Sequence, residues 1–347
     1  MNKPTSGLKE IIKPYLNKCA ELPAYCRKQA QKFAAAAKDK NTRKKYQKKL
    51  TGFIALIAER WRLVTLISAG FITIYYGLGA AVSSKIYNPI DTEIKPHTVT
   101  GKYLPPSVAY VLKTQVDDSA WVPALPAIFP AAVLDNLPNF QLGVKDSTRF
   151  LTKRLAVMYN DDKLKQAGEL LDYPADIWLF SQTGEDKLAP GSAKQYRKAM
   201  AKIAAAVLTE NNDETTQTHN LKYILESFNI ILKRQITKLE KQVQEHNSET
   251  FDFKADDIFF YVQGNVYTLY YALLAVSKDY QDIIVKTEQY EHLTTALKYF
   301  KDAENLSPLS VQNGAPEDSY AANHLLYLAY YLAQAQNQIN AIRCALK

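Results

Sequence analysis

The sequence predicts an all-α protein: a single transmembrane helix followed by an extracytoplasmic, helical-bundle-like domain that opens with a proline-rich irregular stretch. Three observations carry this. Leu63–Val82 is a run of 20 residues with no charge, long enough as a helix to cross the roughly 30 Å of a bilayer's hydrocarbon. Beyond Phe150 the apolar residues recur in steps of three and four, the period of a helix face. No stretch alternates for long with the two-residue period of a half-buried strand.

Residues 1–60 form a basic tail. Up to Arg62 the chain holds 16 Lys and Arg against 4 Asp and Glu, a charge of +12, and because the whole chain is +8 the remainder is −4. The basic flank of a first membrane helix stays in the cytoplasm, so the expected topology is N-terminus in, C-terminus out. A cleaved signal peptide fits poorly, because such peptides have a short basic start and a shorter apolar core. Ala24–Leu50 lacks Gly and Pro and interleaves lysines with Tyr25, Phe33 and alanines. It reads as a basic helix, either lying on anionic lipid or simply solvated. Nucleic-acid binding by this tail is a less favoured alternative.

The membrane helix is expected over 61–83. Trp61 falls at the headgroup boundary, Leu63 begins the uncharged run, and Ala69, Thr73, Gly77 and Ala81 form a small-residue face suited to homo-oligomers. Cys19 and Cys26 fall on the reducing side and Cys344 on the other, so no intrachain disulfide is expected; Cys344 is expected to be buried.

Residues 84–138 contain eight prolines around one helical run, Ser107–Val116, and read as a stalk with irregular packing. The helical domain is expected over 139–347. Phe150, Leu151, Leu155 and Met158 mark its first helix, and Ser192 with Gln195 reads as a capping box opening another. Tyr173–Pro190, between them, reads as a loop anchored by Trp178. The clearest seams are Leu221, Leu225, Phe228, Leu232, Ile236, Leu239, Val243, then Phe259 to Val276, Tyr290 to Phe300, and Leu325 to Leu346.

Candidate chemistry is sparse. There is no phosphate loop, nucleophile elbow, HExxH pair or zinc-type cysteine spacing, and nothing points to a cofactor. Glu288 and His292 share a helix face, but bundle di-iron sites use Glu-x-x-His on two helices and this sequence has that spacing on none, so no metal site is assigned. Asp256 and Asp257 open a helix and complement its dipole. Gly264, in the middle of that helix, implies a close crossing. Asn323 and His324 open the last helix, where they cap backbone groups or hold the preceding loop. Surplus tyrosines, among them Tyr261, Tyr267 and Tyr327, suit either core and rim positions or a groove for a partner.

Several local segments resemble an uncharacterised family of membrane-anchored bacterial proteins, domain of unknown function 2333. They are Leu134, Asp135, Asn136, Pro138, Gly143 and Val144; Asp256, Phe259 and Gly264; Asn313 and Gly314; and Ala322, Asn323 and His324. The resemblance implies a bacterial inner-membrane anchor and an exported, periplasmic helical domain, with no established activity. Asp135, Asn136, Gly264, Asn323 and His324 form the candidate structural or binding cluster. The leading expectation is a non-enzymatic scaffold or binding module that engages membrane lipids and an envelope protein. The alternative is an envelope enzyme acting on a wall or lipid substrate, with Asp135, Asn136 or His324 brought together by folding.

Overall fold

The computed structural model describes residues 61–83, 86, 102–133, 135–183, 187–206, 208, 213–246, 252–308, 310–314 and 322–346. The basic tail, with the helix expected over Ala24–Leu50, lies outside the described residues. The chain divides into two units at Ile74 and Tyr75, inside the first described helix.

That helix, α1, is Trp61–Ser83, 23 residues long. Leu66, Ile67, Phe71, Ile72, Ile74 and Leu78 are all exposed, and they do not fall on one face. Side chains are described without a break only from Thr65 to Gly79, about 22 Å of helix. Among the described residues no helix is long and apolar enough to cross a membrane. Within the second unit the end of α1 meets the body: Tyr75 Oη donates to the Ile128 carbonyl at 3.1 Å and Tyr76 Oη to that of Ala127 at 2.8 Å.

Among the described residues the body is helical apart from one short hairpin and one isolated bridge. Its first helix, α2, is Leu104–Lys113, continued by a π-turn over Thr114–Asp118. Proline-rich sequence does not make this segment irregular. Pro105 and Pro106 occupy the first helical turn, where a missing N–H costs nothing, and Asp279 accepts from the Tyr103 and Leu104 amides at 2.6 and 2.9 Å. Leu104, Val108, Val111, Leu112 and Trp121 are buried, so this part of the proline-rich stretch packs on the body.

Helix α3 (Asn136–Tyr159) ends at Asn160, whose φ of 48° is left-handed, and α4 (Asp162–Leu171) starts at once, its Leu164 amide capped by Asp161 at 2.8 Å. Part of the expected loop is a hairpin: β1 (Phe180–Thr183) pairs antiparallel with β2 (Lys187–Pro190), with Phe180 opposite Pro190. Trp178 does not anchor it, being 43% exposed and stacked edge-on against Phe129. The anchors are Tyr173, whose hydroxyl donates to Pro190 O at 2.7 Å, and Trp121, whose Nε1 donates to Ala175 O at 2.7 Å. Helix α5 (Ser192–Ala204) begins one residue earlier than a Ser192 cap requires. Gly191 is the cap residue, and Ser192 Oγ instead accepts from Ile177 N and donates to Pro174 O.

Four further helices follow the long seams: α6 (Glu214–His246), α7 (Phe253–Asp279) with the short α8 (Gln281–Lys286), α9 (Tyr290–Glu304) and α10 (His324–Ala345). Helix α7 is the axis of the body. It packs against α2, α3, α6 and α9, and Phe259, Val262, Val266, Tyr267, Leu269, Tyr271, Leu273 and Val276 around its circumference are buried. A helix covered on every side has no polar face, as its composition shows. Helix α10 packs on α6 and α9 through Leu325, Leu328, Leu332, Ala335, Ile339 and Ile342. Cys344 is a free thiol and exposed, not buried, because it points away from the stripe that Ile342 and Leu346 carry into the core.

Candidate functional site: a basic cleft at a helix crossing

Two glycines bring α3 and α7 into backbone contact. A Cβ at Gly264 would overlap the Phe140 carbonyl oxygen and lie 2.9 Å from Val144 N; one at Gly143 would overlap the Tyr261 carbonyl oxygen and lie 3.0 Å from Asn265 Nδ2. Gly264 thus does what a mid-helix glycine implies, and its counterpart is Gly143, one of the residues carrying the family resemblance.

The close approach places polar side chains opposite one another. Ser147 Oγ donates to Asn265 Oδ1 at 2.6 Å, Asn265 Nδ2 to Tyr261 O at 2.7 Å, and Tyr261 Oη to Asp146 Oδ2 at 2.6 Å. Helix α6 supplies the third wall with Ile231, Arg234, Gln235 and Lys238, and the enclosed cleft has a volume of about 140 Å³.

Its charge is unbalanced. The lining holds three cations, Arg149, Arg234 and Lys238, and one carboxylate, Asp146. Arg149 is engaged: Nη1 meets Asp172 at 2.9 Å, and Asp172 also binds Lys153 at 2.5 Å. Burial opposes the Arg149 charge, but Asp172 and Asp146 outweigh it and raise its pKa. Arg234 and Lys238, one turn apart on α6, make no ion pair among the described residues. Their charged ends instead lie over aromatic rings, Arg234 at 4.6 Å from the centre of Phe150 and Lys238 at 3.9 Å from that of Tyr261. Burial lowers the Lys238 pKa, against the attraction of Asp146.

Two polar atoms of residues on this lining, each almost closed to solvent, have no hydrogen-bond partner among the described residues, and they are of opposite sense. Arg149 Nε is a donor with no acceptor in hydrogen-bonding geometry, its nearest carboxylate oxygen, Asp146 Oδ1, standing 3.7 Å away. Gln235 Oε1 is an acceptor with no donor, on a side chain of a residue only 6% exposed. Gln235 is held by its amide nitrogen, which donates to Asn265 Oδ1 at 3.4 Å.

The residues singled out from sequence lie elsewhere, in two groups at the start of α7. In the first, Asp135 and Asn136 meet Asp256 and Asp257. Asn136, with its amide turned to donate, bonds Asp256 and Asp135, and Asn139 Nδ2 donates to Asp257 at 2.6 Å. Burial, then the charges of Asp135 and Asp257, push the Asp256 carboxyl up to about 6. In the second, Asn323 caps α10 by accepting from Leu326 N at 2.9 Å, and it donates to Asn313 Oδ1 at 3.0 Å and to Gly314 O. Asn313 donates in turn to Asp252 at 2.9 Å, the residue that caps α7 and accepts from Gln242. His324 Nδ1 accepts from Gln312 N at 2.9 Å while its own amide donates to Gln312 O. The Asn313–Gly314 and Ala322–His324 segments are therefore the two sides of one bridge. Among the described hydrogen bonds none joins His324 to Asp135 or Asn136, and Gly264 serves the crossing. His292 Nδ1 is bonded to Gln338 at 2.7 Å.

Sequence reasoning missed the cleft, apart from noting Tyr261. One signal was present: Arg234 and Lys238 are like charges at i,i+4, with no acidic residue three or four positions away from either, a pairing that destabilises an isolated helix.

Residues 223–347, from within α6 to the end of the chain, match a family model described as an uncharacterised protein conserved in bacteria, DUF2333. The match includes the α6 and α7 walls of the cleft and leaves α3, with the Leu134–Val144 segment, outside it. No curated protein and no solved structure matches the chain.

Proposed function

We propose that this protein, whose residues 223–347 match the model of the uncharacterised bacterial family DUF2333, is a membrane-tethered binding module. Helix α1 is its anchor in the bacterial inner membrane, the basic tail lies in the cytoplasm, and the helical body works in the periplasm on an envelope component.

The observation that carries this reading is α1 itself. It is a 23-residue helix with Leu66, Ile67, Phe71, Ile72, Ile74 and Leu78 exposed on more than one face. Each such side chain costs about 1.5–3 kcal/mol left in water relative to an apolar medium, and a bilayer is the medium that covers a helix from all sides. The +12 charge before it supports the orientation.

Binding rather than catalysis is supported by the contents of the cleft. Its lining is mainly cations, amides and hydroxyls, and its one carboxylate among the described residues is already engaged by Tyr261 and Lys145. The small face of Ala69, Thr73, Gly77 and Ala81 suits self-association within the bilayer.

Carbonate extraction of membranes containing the full chain tests the tether. The protein is expected to stay in the pellet, and Phe71→Arg with Ile72→Arg to release it. A wild-type chain washed off by carbonate would overturn the reading.

A further inference from the structure

We propose that the body makes a second membrane contact: the surface formed by Ile128, Trp178 and Leu179 enters the lipid leaflet on the C-terminal side of α1, so that the body rests in the bilayer surface and is not held clear of it. This deepens the tether reading and rests on it.

The surface is apolar and uncovered. Ile128 is 66% exposed and Leu179 58%, with Trp178 half-exposed beside Leu179. Phe129 joins the two loops by meeting Trp178 edge-on, ring centres 5.4 Å apart. Both loops are free of charge, over Ser119–Leu134 and Ile177–Gly184. Tryptophan beside aliphatic residues on an uncharged surface is the composition that settles at the boundary of headgroups and acyl chains.

The position of the surface names its occupant. Tyr75, Tyr76 and Gly79 belong to the same unit as the body. The two tyrosine hydroxyls hold the Ile128 and Ala127 carbonyls, and Gly79 makes room for Pro130, which a Cβ there would overlap. These three residues precede Val82, the end of the uncharged run, by seven, six and three positions, about 5–10 Å of helix. A loop held at that level by a helix that spans the bilayer lies just inside the boundary of the hydrocarbon. Leu78, next to Gly79, is exposed, so the lipid that covers this stretch of α1 lies alongside the loop in contact with it. A second copy or a protein partner would have to displace that lipid.

The backbone suits the depth. Irregular chain survives there only with its polar groups paired, because no water is at hand. Four successive carbonyls, Pro126 to Phe129, accept hydrogen bonds, from Phe129 N, Tyr76 Oη, Tyr75 Oη and Ala132 N in turn. Pro126 and Pro130 carry no N–H to satisfy. Among the described hydrogen bonds the two tyrosines thus pair the carbonyls that the turn's own amides do not.

The test uses the full chain in lipid nanodiscs, with Cys19, Cys26 and Cys344 each changed to Ser. Single cysteines are introduced by Ile128→Cys, by Leu179→Cys or, as a reference, by Val157→Cys, and labelled with an environment-sensitive fluorophore. Val157 is exposed and lies near the far end of α3 from this surface. The labels at 128 and 179 are expected to be quenched at least about twofold more strongly by lipid bearing a nitroxide on its acyl chain than by aqueous iodide, and the label at 157 to show the reverse. Iodide quenching at 128 and 179 equal to that at 157 would overturn the proposal. So would protection from both quenchers, which would mean that protein covers the surface. Carbonate extraction of the same chains reads the tether alone. Retention in the pellet with iodide-quenched labels removes the surface contact and leaves the anchor, whereas release by carbonate removes the anchor and this contact with it.

Discussion

Gly264→Ala is the perturbation that most sharply probes how the body is built. In an unpacked helix the change would stabilise by about 1 kcal/mol, since alanine loses less backbone entropy. Here the new methyl would overlap Phe140 O and press on Val144 N, both backbone atoms of α3 that cannot rotate away. The helices must separate, with an overpacking cost of about 1–3 kcal/mol. The Ser147–Asn265 hydrogen bond beside the crossing goes too, for about 1 kcal/mol more. Allowing also for loosened packing of Phe140 and Val144, we expect a net loss of roughly 2–3 kcal/mol, a fall in Tm of roughly 5–10 °C for a body of this size. Thermal unfolding of the full chain, followed by near- and far-ultraviolet dichroism, measures it. Gly143→Ala should act alike, and the double variant should lose less than the sum, because one separation relieves both collisions. An unchanged or raised Tm for Gly264→Ala would refute the close crossing and, with it, the geometry of the cleft.

Two further outcomes follow from the groups at the start of α7. The folded pKa of Asp256, about 6, stands above its ordinary 3.8, so its ionised form costs stability above pH 6, a cost that disappears as pH falls from 6 toward 4. Asp256→Asn is therefore expected to be more stable than the native chain by about 1–2 kcal/mol at pH 8, after discounting for partial exposure. The advantage should vanish near pH 4 in paired denaturant titrations; equal stability at pH 8 would contradict it. Asn323→Ala removes the α10 cap and the bonds to Asn313 and Gly314, for about 2 kcal/mol. Hydrogen exchange should accelerate first at Leu326 and Gly314, and a uniform change across the body would argue against a local clasp.

The long helices were legible because their evidence is local. The three-four spacing from Leu221 to Val243 lies within α6, and the same holds for α7, α9 and α10. Gly264 could be read as a crossing point because an interior glycine needs a reason, yet nothing near it in sequence names Gly143 as its counterpart. The cleft was hidden for the same cause. Asp146, Arg149, Arg234, Gln235, Tyr261 and Asn265 are single residues on three helices, of which only Tyr261 stood out in the sequence, and only the crossing gathers them. Helix α2 starts three residues before the expected run at Ser107, because prolines that break a helix in its interior favour its first turn. The hairpin at Phe180–Pro190 was missed because four-residue strands are too short to show alternation. Asn323 and His324 were read correctly in kind, as cap and loop fastener, but their link to Asp252 through Asn313 spans too much chain to be visible in a linear reading.

The most direct test of the central claim, a tether that divides the chain between two compartments, uses cysteines already present. Cys344 is an exposed thiol on the body, whereas Cys19 and Cys26 precede α1 in the sequence. Intact spheroplasts expressing the full chain are treated with a membrane-impermeant maleimide and the labelled peptides identified. The expected label is on Cys344 alone, lost in Cys344→Ser, with Cys19 and Cys26 reacting only after lysis. Labelling of Cys19 or Cys26 in intact spheroplasts while Cys344 stays protected until lysis would contradict the account.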